Sequence, residues 1–323
     1  MSLDQIELKT RTILYANKGS VLEQLYTLPA ASINVTITSP PYYRVRDYDF
    51  DGQWGQEMDP YMFLDRLAQM MRALHRVTKK DGTAWINIGD VMYKGNWFGF
   101  PERFFVNALN AGWKAVNRVS WIKRNAMPSS TGKRFAPRWE PIYGFAKNDD
   151  YYFDVNAVRV PTITPVKPFN LRVREAKSGK LSKKFGSQYA ATEQEKLSHN
   201  KKGERKQDNV GKGNYTGFNG RYDHVKVSKQ GKNPGDFWQM EPPEDVFDIT
   251  VKPLKGFEHY ATFPPELPER IIKSCCPTNG WVLDPFLGSG TTALIAEKLG
   301  MNWIGIEGKK SYIIDAKRRI GIK

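Results

Sequence analysis

The sequence predicts a doubly wound α/β fold whose mostly parallel sheet is built from both ends of the chain. Three observations carry this. Short apolar, β-branched runs alternate with helical patterns; the alternation stops near residue 160 and resumes after about 240; and an apolar run near the end passes through a glycine turn directly into a helix.

In order, Thr12–Ala16 reads as a short strand, Val21–Leu28 as a helix, and Ile33–Thr38 as a β-branched strand ending at Ser39-Pro40-Pro41. In 60–77 the apolar residues Phe63, Leu64, Leu67, Met70, Met71 and Leu74 recur at helical spacing. Lys80-Asp81-Gly82 is expected to turn the chain into a strand over Thr83–Ile88. A helix over Pro101–Ala111 and strands over Val116–Ile122 and Ile142–Ala146 complete the first half. After 240 come helix Glu266–Cys275, strand Trp281–Leu283, helix Thr291–Leu299, strand Trp303–Ile306 and helix Lys309–Ile320. Short apolar strands between helices imply a sheet covered on both faces.

The 323 residues, 40% of them hydrophobic, suffice for one large domain and a smaller insert. Apolar stretches are broken within about ten residues, short of the ~20 a bilayer needs. Met1–Lys9 carries Asp4 and Glu7 and no apolar signal core. A soluble, cytoplasmic protein is the expectation. Cys275 and Cys276 are adjacent, which disfavours a disulfide, and the four histidines are scattered. No metal is expected, and both cysteines read as small buried hydrophobes.

Charge points to a polyanionic partner. The net is +15 with a pI near 9.6. Residues 161–235 hold 17 Lys/Arg against 6 Asp/Glu, so this stretch carries +11 of that total. Two readings stand side by side: a solvated loop, or an insert that orders on phosphates and offers Phe185, Tyr189, Tyr215, Phe218 and Tyr222 to bases.

Two segments carry chemistry. In Val282-Leu283-Asp284-Pro285-Phe286-Leu287-Gly288-Ser289-Gly290-Thr291-Thr292 a strand enters a glycine turn and a helix begins at once. Glycines let backbone approach a ligand at the crevice beyond a strand's carboxyl end. No lysine follows Gly290, so the phosphate-loop pattern is absent. About twenty residues on, the run Trp303–Ile306 ends in Glu307, an acidic side chain suited to ribose hydroxyls. From geometry alone the pair reads as a nucleoside-cofactor site or as an incidental glycine turn. The second segment, Ser39-Pro40-Pro41-Tyr42, has backbone directions limited by two prolines, and by itself it reads first as a rigid loop after a strand.

Together the segments resemble the S-adenosylmethionine-dependent amino-methyltransferases of DNA. The catalytic tetrapeptide, basic insert and cofactor loop fall in the order of the permuted β class. Trp121-Ile122-Lys123-Arg124-Asn125-Ala126-Met127-Pro128 is similar to that family's stretch before its recognition region. Phe263-Pro264, with His259 and Ala261 upstream, is similar to the segment beside the cofactor's methionine part. The family's Gly-Asp-Ser is here Lys18-Gly19-Ser20, which lacks the Asp that serves the adenine ring.

The resemblance implies S-adenosyl-L-methionine as cofactor, bound by Phe263, Pro264, Asp284, Phe286, Gly288, Ser289, Gly290, Thr291, Thr292 and Glu307. It implies catalysis by Ser39, Pro40, Pro41 and Tyr42 on a base flipped out of double-stranded DNA, with Lys123 and Arg138 lining the DNA groove. A catalytic domain over 1–160 and 240–323 is interrupted by a recognition insert over 161–239. Ser39 at the first motif position favours cytosine N4 over adenine N6, and a cognate restriction endonuclease is an expected partner. An RNA amino-methyltransferase and an inactive DNA-binding module remain alternatives. A protein glutamine methyltransferase fits less well, because it would need no basic insert.

Overall fold

The computed structural model describes residues 10–17, 20–123, 133–160, 235–239 and 263–322. Residues 1–158 and 233–323 form one compact unit and 159–232 a second, of which only 159 and 160 are described. The five insert aromatics, His259, Ala261 and the pair Lys18-Gly19 therefore lie outside the described residues, as does Arg124–Pro128.

Ten strands are described. Eight form one sheet in the order β1-β10-β9-β2-β3-β7-β6-β8, and β4 and β5 form a separate hairpin. The strands are β1 (Thr12–Tyr15), β2 (Ile33–Thr38), β3 (Thr78–Asn87), β4 (Met92–Tyr93), β5 (Asn96–Trp97), β6 (Lys114–Ile122), β7 (Trp139–Ala146), β8 (Phe237–Gln239), β9 (Trp281–Asp284) and β10 (Asn302–Glu307). Pairing from β1 across to β3 is parallel, and β7 runs antiparallel to both β3 and β6. The mostly parallel doubly wound sheet is thus as expected.

Among the described residues the α-helices are α1 (Val21–Thr27), α2 (Pro60–Val77), α3 (Phe100–Asn110), α4 (Glu266–Cys275), α5 (Thr291–Lys298) and α6 (Lys310–Ile320). Alternate strand side chains go to opposite faces. Leu283, Ile304, Ala84 and Ile86 join α1, α2 and α3 in one apolar cluster. Val282, Trp303 and Trp85 join α4, α5 and α6 in the other. The central strand β2 is buried at all six positions, Asn34, Thr36 and Thr38 included, and five of its six residues are β-branched. Helix α2 begins where the Asp59 carboxylate accepts from the Tyr61 N–H at 2.7 Å and Pro60 takes the first position.

Three details depart from expectation. Lys80-Asp81-Gly82 is a bulge inside β3, because the partner register jumps from Ile33↔Thr78 to Val35↔Thr83. Glycine is required there: a Cβ at Gly82 would lie 2.6 Å from Thr78 Cγ2 and 2.8 Å from the Asn34 carbonyl oxygen. The β4–β5 hairpin was not expected, since two-residue strands carry no period. Strand β8, within the range read as insert, pairs in parallel with β6, Ser120 opposite Phe237. Cys275 and Cys276 are buried free thiols, 1% and 3% exposed.

Candidate active site

The carboxyl ends of β2, β9, β10 and β3 open onto one cleft of about 330 Å³, within the range of small-molecule sites. The two motifs meet because β2 and β9 are neighbours, Val35 opposite Val282. At their ends the Thr38 hydroxyl donates to Asp284 Oδ1 at 2.7 Å. Asp284 also accepts from the Thr292 hydroxyl at 2.6 Å and the Phe286 N–H at 3.1 Å. Burial pushes its carboxyl up to about 6, against the pull of those three donors. Asp284 is thus a brace between the two loops as well as a wall of the cleft.

Past Thr38 the Ser39 hydroxyl donates to Asn87 Oδ1 at 3.3 Å. The amide's orientation follows from its other side: Asn87 Nδ2 donates to the Pro141 carbonyl, which can only accept, at 3.1 Å. The Tyr42 hydroxyl has one proton and two acceptors in reach, Asn87 Oδ1 at 3.1 Å and Glu140 Oε2 at 2.9 Å. The charged acceptor at the shorter distance takes it. Asn87 Oδ1 is then left for the Ser39 proton, and the lone pairs of Ser39 Oγ stay available to a ligand. Burial, then the Glu140 carboxylate, raise the Tyr42 phenol well above its ordinary value, so it stays neutral. Gly89 lets its ring lie close, since a Cβ there would be 2.4 Å from Tyr42 Cε2. Glu140 pairs with Lys123, whose ammonium lies 4.9 Å from the Trp121 ring centre. The buried Trp121 Nε1 has no acceptor among the described residues, although the ring lines the cleft.

At the other end Glu307 accepts from the Gly288 N–H at 2.8 Å through Oε2 and from the Lys309 N–H at 2.8 Å through Oε1. It is 8% exposed, and burial raises its carboxyl despite these bonds. The Gly308 N–H adds a third backbone interaction, and a carboxylate's roughly four acceptor sites leave capacity for the cleft. A strap over 42–57 closes this side. It is laced internally: Tyr48 N donates to Gln53 Oε1 at 2.6 Å, Gln53 Nε2 to Asp47 Oδ1 at 2.6 Å, and Arg44 N to the Gly55 carbonyl at 2.7 Å. Trp54 meets Phe286 edge to face at 5.2 Å, and Tyr48 meets Tyr312 likewise at 6.3 Å.

Ser39, Pro40, Pro41, Tyr42, Phe263, Pro264, Asp284, Phe286, Gly288, Ser289, Thr291 and Glu307 all line this cleft. Two expected cofactor residues do not. Thr292 is turned inward to Asp284, and Gly290 starts α5 at φ 82°, where a Cβ would meet Ala316 at 3.1 Å. They shape the loop from behind. Lys123, expected toward DNA, points its charge at Glu140 in the cleft, while Arg138 is exposed just before β7. Sequence reasoning missed Asn87, Glu140 and the strap residues Tyr48, Phe50, Gln53 and Trp54. Asn87 ends the strand parallel to β2, and that topology was the available signal.

A family model described as DNA methylase, that of the N6/N4 methyltransferases, matches residues 33–318. The chain belongs to this family of S-adenosylmethionine-dependent DNA methyltransferases. It is 27% identical to the type II methyltransferase M.SfiI of Streptomyces fimbriatus, across 92% of this chain and 88% of that protein. It is 39% identical to M.MwoI of Methanothermobacter wolfeii, across 94% of this chain and 34% of the longer relative. Among solved structures, the PvuII DNA methyltransferase (cytosine-N4-specific) superposes with a TM-score of 0.60 at 19% identity, covering 96% of this chain and 90% of the other. The M1.HpyAVI–SAM complex gives 0.52 at 18%, with 96% and 99% covered.

The residues present fit the cofactor. Glu307 offers buried acceptors to ribose hydroxyls, Gly288 brings bare backbone beside it, and Phe286, Leu287 and Ile306 give apolar walls. No helix among the described residues is long and apolar enough to cross a membrane.

Proposed function

We propose that this chain methylates the exocyclic N4 of a cytosine flipped out of double-stranded DNA, as the modification half of a restriction–modification pair. The observation that carries the mechanism is the Ser39–Asn87 hydrogen bond, which occupies the serine's proton and leaves its oxygen an acceptor.

The amino nitrogen of a base is a poor nucleophile because its lone pair is delocalised into the ring. Acceptors at its two N–H groups make the nitrogen more tetrahedral and stabilise the charge that develops in transfer. Ser39 Oγ takes one N–H and the Pro40 carbonyl the other. Pro41 holds the turn, and the neutral Tyr42 ring stacks on the flipped base, replacing stacking lost from the duplex. Bound S-adenosylmethionine supplies an electrophilic methyl on sulfur. Phe263, Pro264, Phe286, Gly288, Ser289, Thr291 and Glu307 hold it, with Asp284, Gly290 and Thr292 fixing their loop. Holding both reactants in line supplies much of the rate.

Ser39 as the first motif residue supports cytosine over adenine, as does the name of the PvuII neighbour. The basic segment within 161–239 supplies phosphate contacts and target recognition, with Arg138 at the groove and Lys123 between groove and cleft. A cognate endonuclease cutting the same site is the expected partner, in the cytoplasm, as the type II names of the relatives suggest.

The test is nucleoside mass spectrometry on unmethylated DNA incubated with protein and S-adenosylmethionine. N4-methylcytosine is expected. N6-methyladenine would keep the mechanism and correct the base, and modification of RNA alone would overturn the DNA reading.

A further inference from the structure

We propose that Phe50, carried on the strap, is the aromatic face against which the cofactor's adenine ring rests, filling the place left by a missing side chain at Gly308. The inference rests on the cofactor reading above and is independent of which base is methylated.

Gly308 directly follows Glu307, the residue placed to hold the ribose. Its backbone is not in the left-handed region, so conformation does not demand a glycine. Space does. A Cβ on Gly308 would lie 2.7 Å from Phe50 Cε2 and 2.8 Å from Phe50 Cζ, closer than real atoms approach. The Phe50 ring therefore sits against bare backbone at the tip of β10, on the wall of the cleft. A nucleoside whose ribose is held at Glu307 must place its base beside this tip, because base and ribose share one glycosidic bond. Phe50 presents a flat apolar ring at that tip.

The ring is held in place for such a role. Tyr48 N and the Asp47 carboxylate are tied to Gln53 on either side of it, and Asp49 N donates to Asp47 Oδ1 at 2.9 Å. Tyr48, next but one, lies close enough to Glu307 that the carboxylate adds to burial in raising its phenol. The strap begins at Tyr42, so the same segment carries the proposed target-base ring at one end and the proposed adenine ring near its middle.

The test is calorimetric binding of S-adenosylhomocysteine to the full chain, with S-ribosylhomocysteine, which lacks the base, as competitor. Wild-type binding of S-adenosylhomocysteine checks the cofactor reading by itself. Phe50→Ala should weaken it about ten- to a hundredfold, while S-ribosylhomocysteine changes less than about twofold. Phe50→Trp should stay within about threefold of wild type, whereas Phe50→Leu, which keeps bulk without a π-face, should lose at least about fivefold. Equal losses for both ligands in Phe50→Ala, or full affinity in a folded Phe50→Leu, would overturn the proposal.

Discussion

The Thr38 hydroxyl bonds Asp284 across the β2–β9 boundary, joining the residue before Ser39 to the residue that opens the glycine turn. The loop proposed to hold the target base and the loop proposed to hold the cofactor therefore share one buried carboxylate. Thr38→Val should destabilise the protein by about 1–3 kcal/mol, the cost of a buried acceptor losing a donor. Thr38→Ser should cost less than about 1 kcal/mol. Urea unfolding of the two variants checks this, and equal stability would show that the bond is not needed.

Asp284 also predicts a pH dependence. Its folded value near 6 lies above the ~3.9 of an unfolded carboxyl, so the folded state holds this proton more tightly. Its contribution to stability is full below about pH 4, is lost as pH rises through about 6, and is flat above that. A shift of about two units corresponds to at most about 3 kcal/mol. Asp284→Asn keeps an amide oxygen for Thr38 and should remove this slope between pH 4 and 6. Melting of cofactor-free protein over that range reads it directly; parallel curves for the two proteins would refute it.

Ser39→Ala and Asn87→Ala should both lose methyl transfer while binding S-adenosylhomocysteine within about twofold of wild type. The expected loss is a hundredfold or more for Ser39→Ala, on the order seen when one preorganised hydrogen-bonding group is removed. Asn87→Ala should fall between that and wild type, because Asn87 only orients the hydroxyl. Glu307→Ala and Gly288→Val should show the opposite pattern, with cofactor affinity lost first. Full turnover by Ser39→Ala would sink the assigned mechanism.

The thiols should be silent. Burial pushes Cys275 up to about 11 and Cys276 up to about 12, and neither is exposed. A colorimetric thiol reagent at pH 8 should find no reactive group in native protein and two after denaturation. Rapid labelling of either in the folded state would contradict their placement.

Much of this architecture was legible because burial writes β9 and β10 around short apolar runs and β2 as a β-branched one, and because α2 keeps its apolar residues at helical spacing. The two glycine- and proline-rich segments were legible because they are local. Asn87, Glu140 and Phe50 were not. Each reaches the cleft by tertiary placement: Asn87 through the β2–β3 pairing, Glu140 through the antiparallel return of β7, and Phe50 through a strap held by side-chain bonds rather than by a period. Thr292 and Gly290 present the converse case. They stand in the motif, yet they serve its shape from behind.

The pairing of β2 with β9 has a consequence for synthesis. Strands that are neighbours in the sheet leave the ribosome about three quarters of the chain length apart, a contact of very high sequence separation. Until β9 arrives, β2 has an unfilled edge, and its apolar side chains lack the helices that cover one face of the sheet. A nascent chain thus carries Ser39-Pro40-Pro41-Tyr42 long before it can carry a cleft. Competence arrives only as the last strands emerge, so translation that stops early should yield an inert product, not a weak enzyme.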